Sequence, residues 1–526
     1  MPAVPSSRPA DAASQPTGVP SCHGGLANLD DEFSYLIDRV DGEVPLDLTG
    51  TFFRNGPGRQ KIGDRPYGHW FDGDGMLCAF TFLDGKVHFK NRYVRTPKYI
   101  EETKTQTIRY RGFGTQIPGG LAANFLRPPA NPANTSVIHH AGSLLALNEG
   151  GRPWSLDPGT LETIGEFTYD GALGRMNVFS AHGKVHQRTG DYINFGAGIS
   201  GFGWRGAKTC LHLYRINAQG AMIKKGQIPL ATFPFSHDFA LTDRYGVFFI
   251  NSIVFGGLGN VILGRHSLAD QMVFDESQPM RVVVVDLDTL EPVRIFETAP
   301  GAIIHFGNAF ERGQTIVVDG MYADNFEANE TLTDVLNPKA RFGGGVYNRY
   351  TLDMTSGELG CSPLSERESE FPTFNTRKTG EDYTTCYTAC SIDNGANSFY
   401  NAFQKIEFDS GSTLVTLPAG YYGSEPLFAP SANAKAEDDG YLLVVVYNGY
   451  KHTSELHVYR ANDVTDRVCC LHLKHHVPPS VSRPLQHGGL HGAGCPGRRL
   501  GYAPSPATHC LKKSARRKRS ALVVDG

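Results

Sequence analysis

The 526-residue chain reads as an all-β protein of the propeller type, and three observations predict it. Between Gly42 and Pro478, short β-branched and aromatic runs are broken about every 8–12 residues by Gly, Pro, Asn or Asp. No stretch sustains the 3.6-residue apolar period of an amphipathic helix. One unit also recurs: an apolar strand, an Asp or Asn turn carrying Thr, Ser or Gly, and a second strand.

Taken in order, residues 1–25 open with the Pro-, Ser- and Ala-rich MPAVPSSRPADAASQPTGVPS, which has no apolar region to make a secretory signal, and read as a mobile tail. The recurrent hairpin then appears as SLLALNEGGRPWSLDPGTLETIGEF (143–167), CLHLYRINAQGAMIKKG (210–226), RVVVVDLDTLEPVRIF (281–296), GVYNRYTLDMTSGELG (345–360), NAFQKIEFDSGSTLVTL (401–417) and ELHVYRAND (455–463). Hairpins in such number suit a propeller, in which each blade is a small antiparallel sheet and ring closure protects the edges. No linker interrupts them, so residues 26–478 are expected as one domain. Residues 479–526 change texture and offer no credible strand before Ala521-Leu522-Val523-Val524, so that segment is expected to be poorly ordered.

Composition narrows the function. A net charge of -3 over 50 basic and 53 acidic side chains gives no global field for nucleic acid. The basic run KKSARRKR (512–519) reads as a solvated tail. The longest apolar runs, such as Leu442 to Tyr447, fall well short of the ~20 residues of a membrane-spanning helix. Ten cysteines, two of them adjacent at Cys469 and Cys470 and none in a CxxC pair, fit neither a disulfide framework nor a zinc ribbon and read as reduced thiols of a cytoplasmic protein. No GxGxxG opens a βαβ unit, so no dinucleotide site is expected.

Among 19 histidines, His182, His237 and His305 each lie at a turn or at the start of an apolar strand, where a propeller points side chains at its axis. Their spacings of 55 and 68 residues are roughly one blade each, which sets them around a ring. A ring of imidazoles suits Fe(II), Zn(II), Cu(II) or Ni(II). On spacing alone, three turn histidines satisfied by backbone carbonyls would serve equally well.

Several stretches in order, including GTFFRNGPG (50–58), HWFDGDGMLCAFTF (69–82), RYVRTPKYIEE (92–102), ANTSVIHHAGSLLALNEGG (133–151), SAHGKVHQRTGD (180–191), SHDFALT (236–242), HFGNAFE (305–311), SEPLFAPSANAKAEDDGYLL (424–443) and LKHHVP (473–478), resemble the carotenoid cleavage oxygenases, most closely the apocarotenoid oxygenases. The resemblance implies a seven-bladed propeller with loops forming a cap over one non-haem Fe(II) held by four histidines. Three carry over as His182, His237 and His305. The family's supporting glutamates map onto Glu149 in LNEGG, Glu370 in SEFP, with Glu366 and Glu368 close by, and Glu425 in SEPLF. A carboxylate on the far nitrogen of a ligand imidazole fixes its tautomer and aim. The fourth ligand maps onto His491 in GLHG, with His487 in LQHG as the alternative. The following CPGRRLGYAPSP departs from the family's terminal strand, while His475 and His476 read as structural residues at a strand end.

The implied reaction is O2-dependent cleavage of one C=C bond of a carotenoid or apocarotenoid to two carbonyl products. An insoluble polyene further implies peripheral membrane contact, placed by the resemblance on residues 119–127 with Leu121, Phe125 and Leu126. Stilbene-cleaving relatives carry a Lys before the supporting glutamate, where this chain has Asn148, with Tyr99 retained; that favours a polyene over a phenolic stilbene. Two alternatives stand beside this reading: a stilbene-cleaving or isomerising member of the family, and a non-catalytic propeller if the fourth histidine is missing. A plastid location remains open beside the cytoplasmic one.

Overall fold

The computed structural model describes residues 18–480 apart from 204–205, 334, 337–342 and 393–398. Seven antiparallel sheets succeed one another along the chain, with innermost strands Gly50–Arg59, Ser136–His140, Lys184–Val185, Ala240–Leu241, Ala302–Arg312, Ser369–Thr373 and Tyr421–Pro430. They are numbered here as blades 1 to 7.

Stacking of blades on both sides explains why inner strands such as Gly440–Asn448 lack a polar face. In blade 7, Leu442, Val444 and Val446 of strand Gly440–Asn448 pack on Tyr387 and Phe403 of blade 6. Their alternate neighbours Leu443 and Val445 pack on Phe52 and Phe80 of blade 1. With both faces buried, the strand reads as one continuous apolar run.

The six hairpins anticipated from sequence are the outer hairpins of blades 2 to 7. Their turns are closed by short polar side chains. Asp157 Oδ1 accepts from Gly159 N and Thr160 N, Asp286 Oδ1 from Asp288 N and Thr289 N, and Asp353 Oδ1 from Thr355 N and Ser356 N. Blade 1 lacks this unit because its outer strand, Ser34–Leu36, arrives from the N-terminal side and pairs with Lys86–Tyr93. The next strand, Val40–Gly42, pairs instead with Arg467–His472, the last strand of blade 7. Neighbouring N-terminal strands thus complete both the first blade and the last, and the ring closes between them.

The expectation of a mobile tail over residues 1–25 is corrected at its C-terminal end; residues 1–17 lie outside the described residues. Cys22–Leu26 forms a short 3-10 helix capped by Ser21, whose Oγ accepts from His23 N. Cys22 and Leu26 are buried against Trp70, Phe399 and Tyr447. A side chain at Gly24 would run into the Tyr447 hydroxyl at 2.2 Å, so the segment needs glycine for this close approach. Its Pro- and Ser-rich flank conceals a docked segment.

A nine-residue helix, Pro97–Thr105, interrupts the β pattern. Thr96 Oγ1 caps it by accepting from Tyr99 N, and Pro97 occupies its first turn. Longer connections, such as residues 107–132 between blades 1 and 2 and 251–279 within blade 4, collect apolar side chains from several segments: Phe113, Phe235, Phe255, Met272 and Phe326 form one cluster. This is the cap.

His475 and His476 are structural, as expected. Nε2 of His475 meets the Tyr35 hydroxyl at 3.1 Å, and Nε2 of His476 meets Ala27 O at 2.9 Å. No helix among the described residues is long and apolar enough to cross a membrane. The cysteines among the described residues are free thiols.

Candidate metal centre

His182 and His237 lie just before the innermost strands of blades 3 and 4, and His305 lies within that of blade 5. All three are buried, and one ring nitrogen of each falls within 4.8 Å of the others. Their ring centroids are 4.3, 5.3 and 5.1 Å apart.

Backbone irregularity aims the functional side chains. The pairing of Ala302–Arg312 slips between Ile303 and Phe306, around His305. Ser369–Thr373 slips after Glu370, where Phe371 takes a φ of 56°. Tyr421–Pro430 slips between Gly423 and Pro426, around Glu425. A bulge re-aims a side chain without ending the strand, and three successive blades use one at the axis.

Glu370 Oε2 accepts from His305 Nδ1 at 2.7 Å, and Glu149 Oε1 stands 2.6 Å from His237 Nδ1. Each contact occupies the nitrogen facing away from the centre. His305 Nε2 is buried and has no hydrogen-bond partner among the described residues. A buried, unpartnered nitrogen whose opposite nitrogen is carboxylate-bound fits a ligand imidazole better than a structural one. Burial works against a charged His237, but the charge and hydrogen bond of Glu149, with Asp238 and Glu370 beyond, raise its pKa above the ordinary value. Burial, then the charge of Glu370, keeps the Tyr400 hydroxyl protonated. Glu425 is buried at 3% exposure and lines one cavity with His305 and Glu370.

Sequence reasoning did not single out Asp238, which locks the centre from behind. Its Oδ1 meets Lys184 Nζ at 2.8 Å and accepts from Phe239 N, while its Oδ2 accepts from Phe306 N at 3.0 Å. One buried carboxylate thereby joins blades 3, 4 and 5 beside the three histidines. Ser180 adds a second tie, accepting from His182 N and donating to His237 O. The available signal was the placement of Asp238 within SHDFALT.

His491 and His487 lie outside the described residues. Pro479 and Ser480, the last residues described, line the cavity that holds His305, Glu370 and Glu425. Tyr99 lines neither cavity at the centre; it stacks on Tyr93 at a centroid distance of 4.7 Å.

A closed seven-bladed propeller with an axial imidazole trio, two of its members carboxylate-bound, defines a narrow class of protein. Residues 26–481 match the family model described as retinal pigment epithelial membrane protein, RPE65. The apocarotenoid-15,15'-oxygenase of Synechocystis sp. is 34% identical over 86% of this chain and 94% of its own length. The resveratrol cleavage oxygenase 1 of Aspergillus fumigatus is 28% identical over 88% and 92%. The crystal structure of cobalt-substituted Synechocystis apocarotenoid oxygenase superposes with a TM-score of 0.80 at 32% identity, covering 87% of this chain and 97% of that one. The chain belongs to the RPE65/carotenoid cleavage oxygenase family, and with it to the carotenoid cleavage dioxygenase class of enzymes.

Proposed function

We propose that the chain cleaves one C=C bond of a carotenoid or apocarotenoid with O2, using one Fe(II) held by His182, His237 and His305 with His491 as the fourth ligand. The observation that carries this reading is a pair of apolar cavities that meet at the centre. One, about 130 Å³, is lined by His237, His305, Glu370 and Glu425. The other, about 270 Å³, is lined by His237 and Glu149. Both share Phe71, Phe113, Phe235 and His237. A linear apolar substrate threaded through both would present a mid-chain bond to the histidines.

Iron(II) bound there would supply the position at which O2 is activated. The chain's own part is orientation and exclusion. Glu149 and Glu370 hold Nδ1 of His237 and His305, leaving Nε2 directed at the centre, and the three phenylalanines keep water from the polyene. Asn148 beside Glu149 is fully engaged: its Nδ2 donates to Asn134 Oδ1 and Thr135 Oγ1, and its Oδ1 accepts from Gly150 N. Position 148 itself offers no cation to pair with a phenolate, which favours the polyene over the stilbene. The deciding experiment loads the full chain anaerobically with Fe(II) and chromatographs products from a panel of carotenoids, apocarotenals and resveratrol. Carbonyl products from the polyenes support the reading; resveratrol cleavage alone, or no product at one iron per chain, rejects it.

Glu370→Gln is expected to cost about 10–100-fold in iron affinity or turnover, because the amide can still contact Nδ1 but no longer fixes its protonation. Wild-type values on both would remove Glu370 from the supporting set.

Delivery of the substrate is assigned to a patch beside the larger cavity. Leu121 (54% exposed) lies in the short helix Gly120–Asn124, and Phe125 (51%) and Leu126 (64%) follow it directly. Leu126 N donates to Ile262 O, placing exposed Ile262 and Leu263 next to them. The buried Arg111 guanidinium donates to the carbonyls of Asn124, Arg127 and Val261, which fixes the two segments together. Beyond Leu126 the chain passes into Pro128, Pro129 and Ala130 of the cavity wall. Changing Leu121, Phe125 and Leu126 together to Ser is expected to abolish co-sedimentation with phospholipid vesicles while iron content stays at the wild-type level; undiminished co-sedimentation would reject this surface.

A further inference from the structure

Far from the imidazole trio in sequence, the seam that closes the ring brings five polar side chains onto one face of three strands. Asp41 of Val40–Gly42 lies directly opposite Cys470 of Arg467–His472. His472 is two residues on and shares the face of Cys470. On the adjoining strand Thr453–Arg460, His457 lies opposite Cys470 and Glu455 opposite His472.

The atoms converge. Cys470 Sγ is 3.7 Å from His472 Nε2 and 3.4 Å from Glu455 Oε2. His472 Nε2 is 2.7 Å from Asp41 Oδ2, while its Nδ1 is 3.3 Å from Glu455 Oε1. Bonds of ~2.0–2.3 Å to a tetrahedral ion place ligand atoms roughly 3.3–3.8 Å apart, so the sulfur already stands at a ligand spacing from the His472 imidazole, and the ligand atoms of Asp41, Cys470 and His472 all lie within 4.8 Å of one another. The Asp41 contact is a hydrogen bond that would open by about half an ångström to admit an ion.

The second layer is also in place. Glu455 sits on the far nitrogen of His472, and is itself held by His457 Nε2 at 2.9 Å and Asn448 Nδ2 at 3.2 Å. The His457 and His472 imidazoles flank this buried carboxylate at 2.9 and 3.3 Å. A dication taken up by Cys470 displaces the thiol proton to solvent.

We propose that Asp41, Cys470 and His472 form a second metal site, for a thiolate- and imidazole-preferring divalent ion of the zinc class, with Glu455 orienting His472. A donor set of one thiolate, one imidazole and one carboxylate selects such an ion over magnesium or calcium, which take oxygen ligands. The ion bridges the first strand of the closure to the last strand of the ring, acting as a clasp.

Cobalt(II) is the probe, because the axial centre offers it only imidazoles and this site offers a thiolate. Titration of the full chain is expected to produce a near-ultraviolet thiolate-to-cobalt charge-transfer band that saturates at one cobalt per chain beyond that taken by the axial centre and is bleached by Zn(II). The band is expected to vanish in Cys470→Ser and to need at least about tenfold more cobalt in Asp41→Asn. Absence of the band from the wild-type chain overturns the proposal, as does its persistence in Cys470→Ser. If Cys470→Ser does not fold, the exposed Asp41 decides the matter: unchanged cobalt affinity in Asp41→Asn overturns the site.

Discussion

Replacing His305 with alanine is expected to leave the purified chain without stoichiometric iron and without detectable turnover. The geometry gives no substitute. His305 reaches the centre from a bulge in the innermost strand of blade 5, with its Nδ1 on Glu370 and its Nε2 buried without a partner among the described residues. Its loss removes one nitrogen from the site and also strips Glu370 of its imidazole. Neighbouring Phe306 and Phe371 carry no donor that could take its place. Metal analysis after anaerobic Fe(II) loading, paired with circular dichroism to show that the propeller is intact, checks the outcome. An intact variant that retains full iron occupancy would show that His305 is not a ligand. The same substitution at His182 or His237 is expected to behave alike, whereas Glu149→Gln should resemble Glu370→Gln in the milder range.

The largest stability effect is expected at Asp74, with a loss of about 3–5 kcal/mol on replacement by alanine. Asp74 is fully buried and meets Arg59 Nη2 at 2.8 Å and Lys98 Nζ at 3.0 Å. Lys98 also meets Glu102 Oε2 at 3.1 Å, and the Tyr67 hydroxyl lies against both carboxylates. Two cations and two anions therefore balance inside the protein. Removing one anion strands a positive charge where exposure of Arg59 and Lys98 is 4% and 2%. The network ties the inner strands of blade 1 to helix Pro97–Thr105, and Glu102 Oε1 carries it on to the amides of Arg109 and Tyr110, where the connection to the cap begins. Asp382→Ala is the comparison, since its 2.8 Å pair with Arg312 is more than half exposed on both sides; a change within about 0.5 kcal/mol is expected. Urea unfolding of both variants measures the contrast, and equal midpoints would refute it.

The legible part of this fold was the part built from local signals. Outer hairpins of blades 2 to 7 announce themselves because an Asp or Asn turn joins two strands that are consecutive in sequence. Blade 1 escaped because its fourth strand comes from residues 34–36, so no outer turn exists to be read. It still carries a hairpin signal in Asp84-Gly85, with φ of 51° and 69°, between its middle strands. Helix Pro97–Thr105 also had a local signature in Thr96-Pro97, but it spans too few turns to show a period. For the centre, residue spacing alone left His182, His237 and His305 divided between a ring of ligands and three hydrogen-bonded turn residues. Their assignment leaned on motifs such as SHDFALT and HFGNAFE. Asp238 and the Asp74 network were not legible in that way. What makes them important is contact between groups far apart in the chain, and no periodicity encodes it.

Closure of the ring by Val40–Gly42 imposes a timetable on biosynthesis. This strand leaves the ribosome among the first ordered elements, yet its partner Arg467–His472 follows more than 400 residues later. At ~5–20 residues per second the wait is roughly 20–90 s. Throughout it the early strand has a bare edge, and each completed blade presents an apolar flank that only the next blade covers. A nascent chain in this state offers open pairing edges to its neighbours on a polysome. Truncation before Arg467 would make that interval permanent, so such fragments should accumulate as aggregates rather than as smaller propellers.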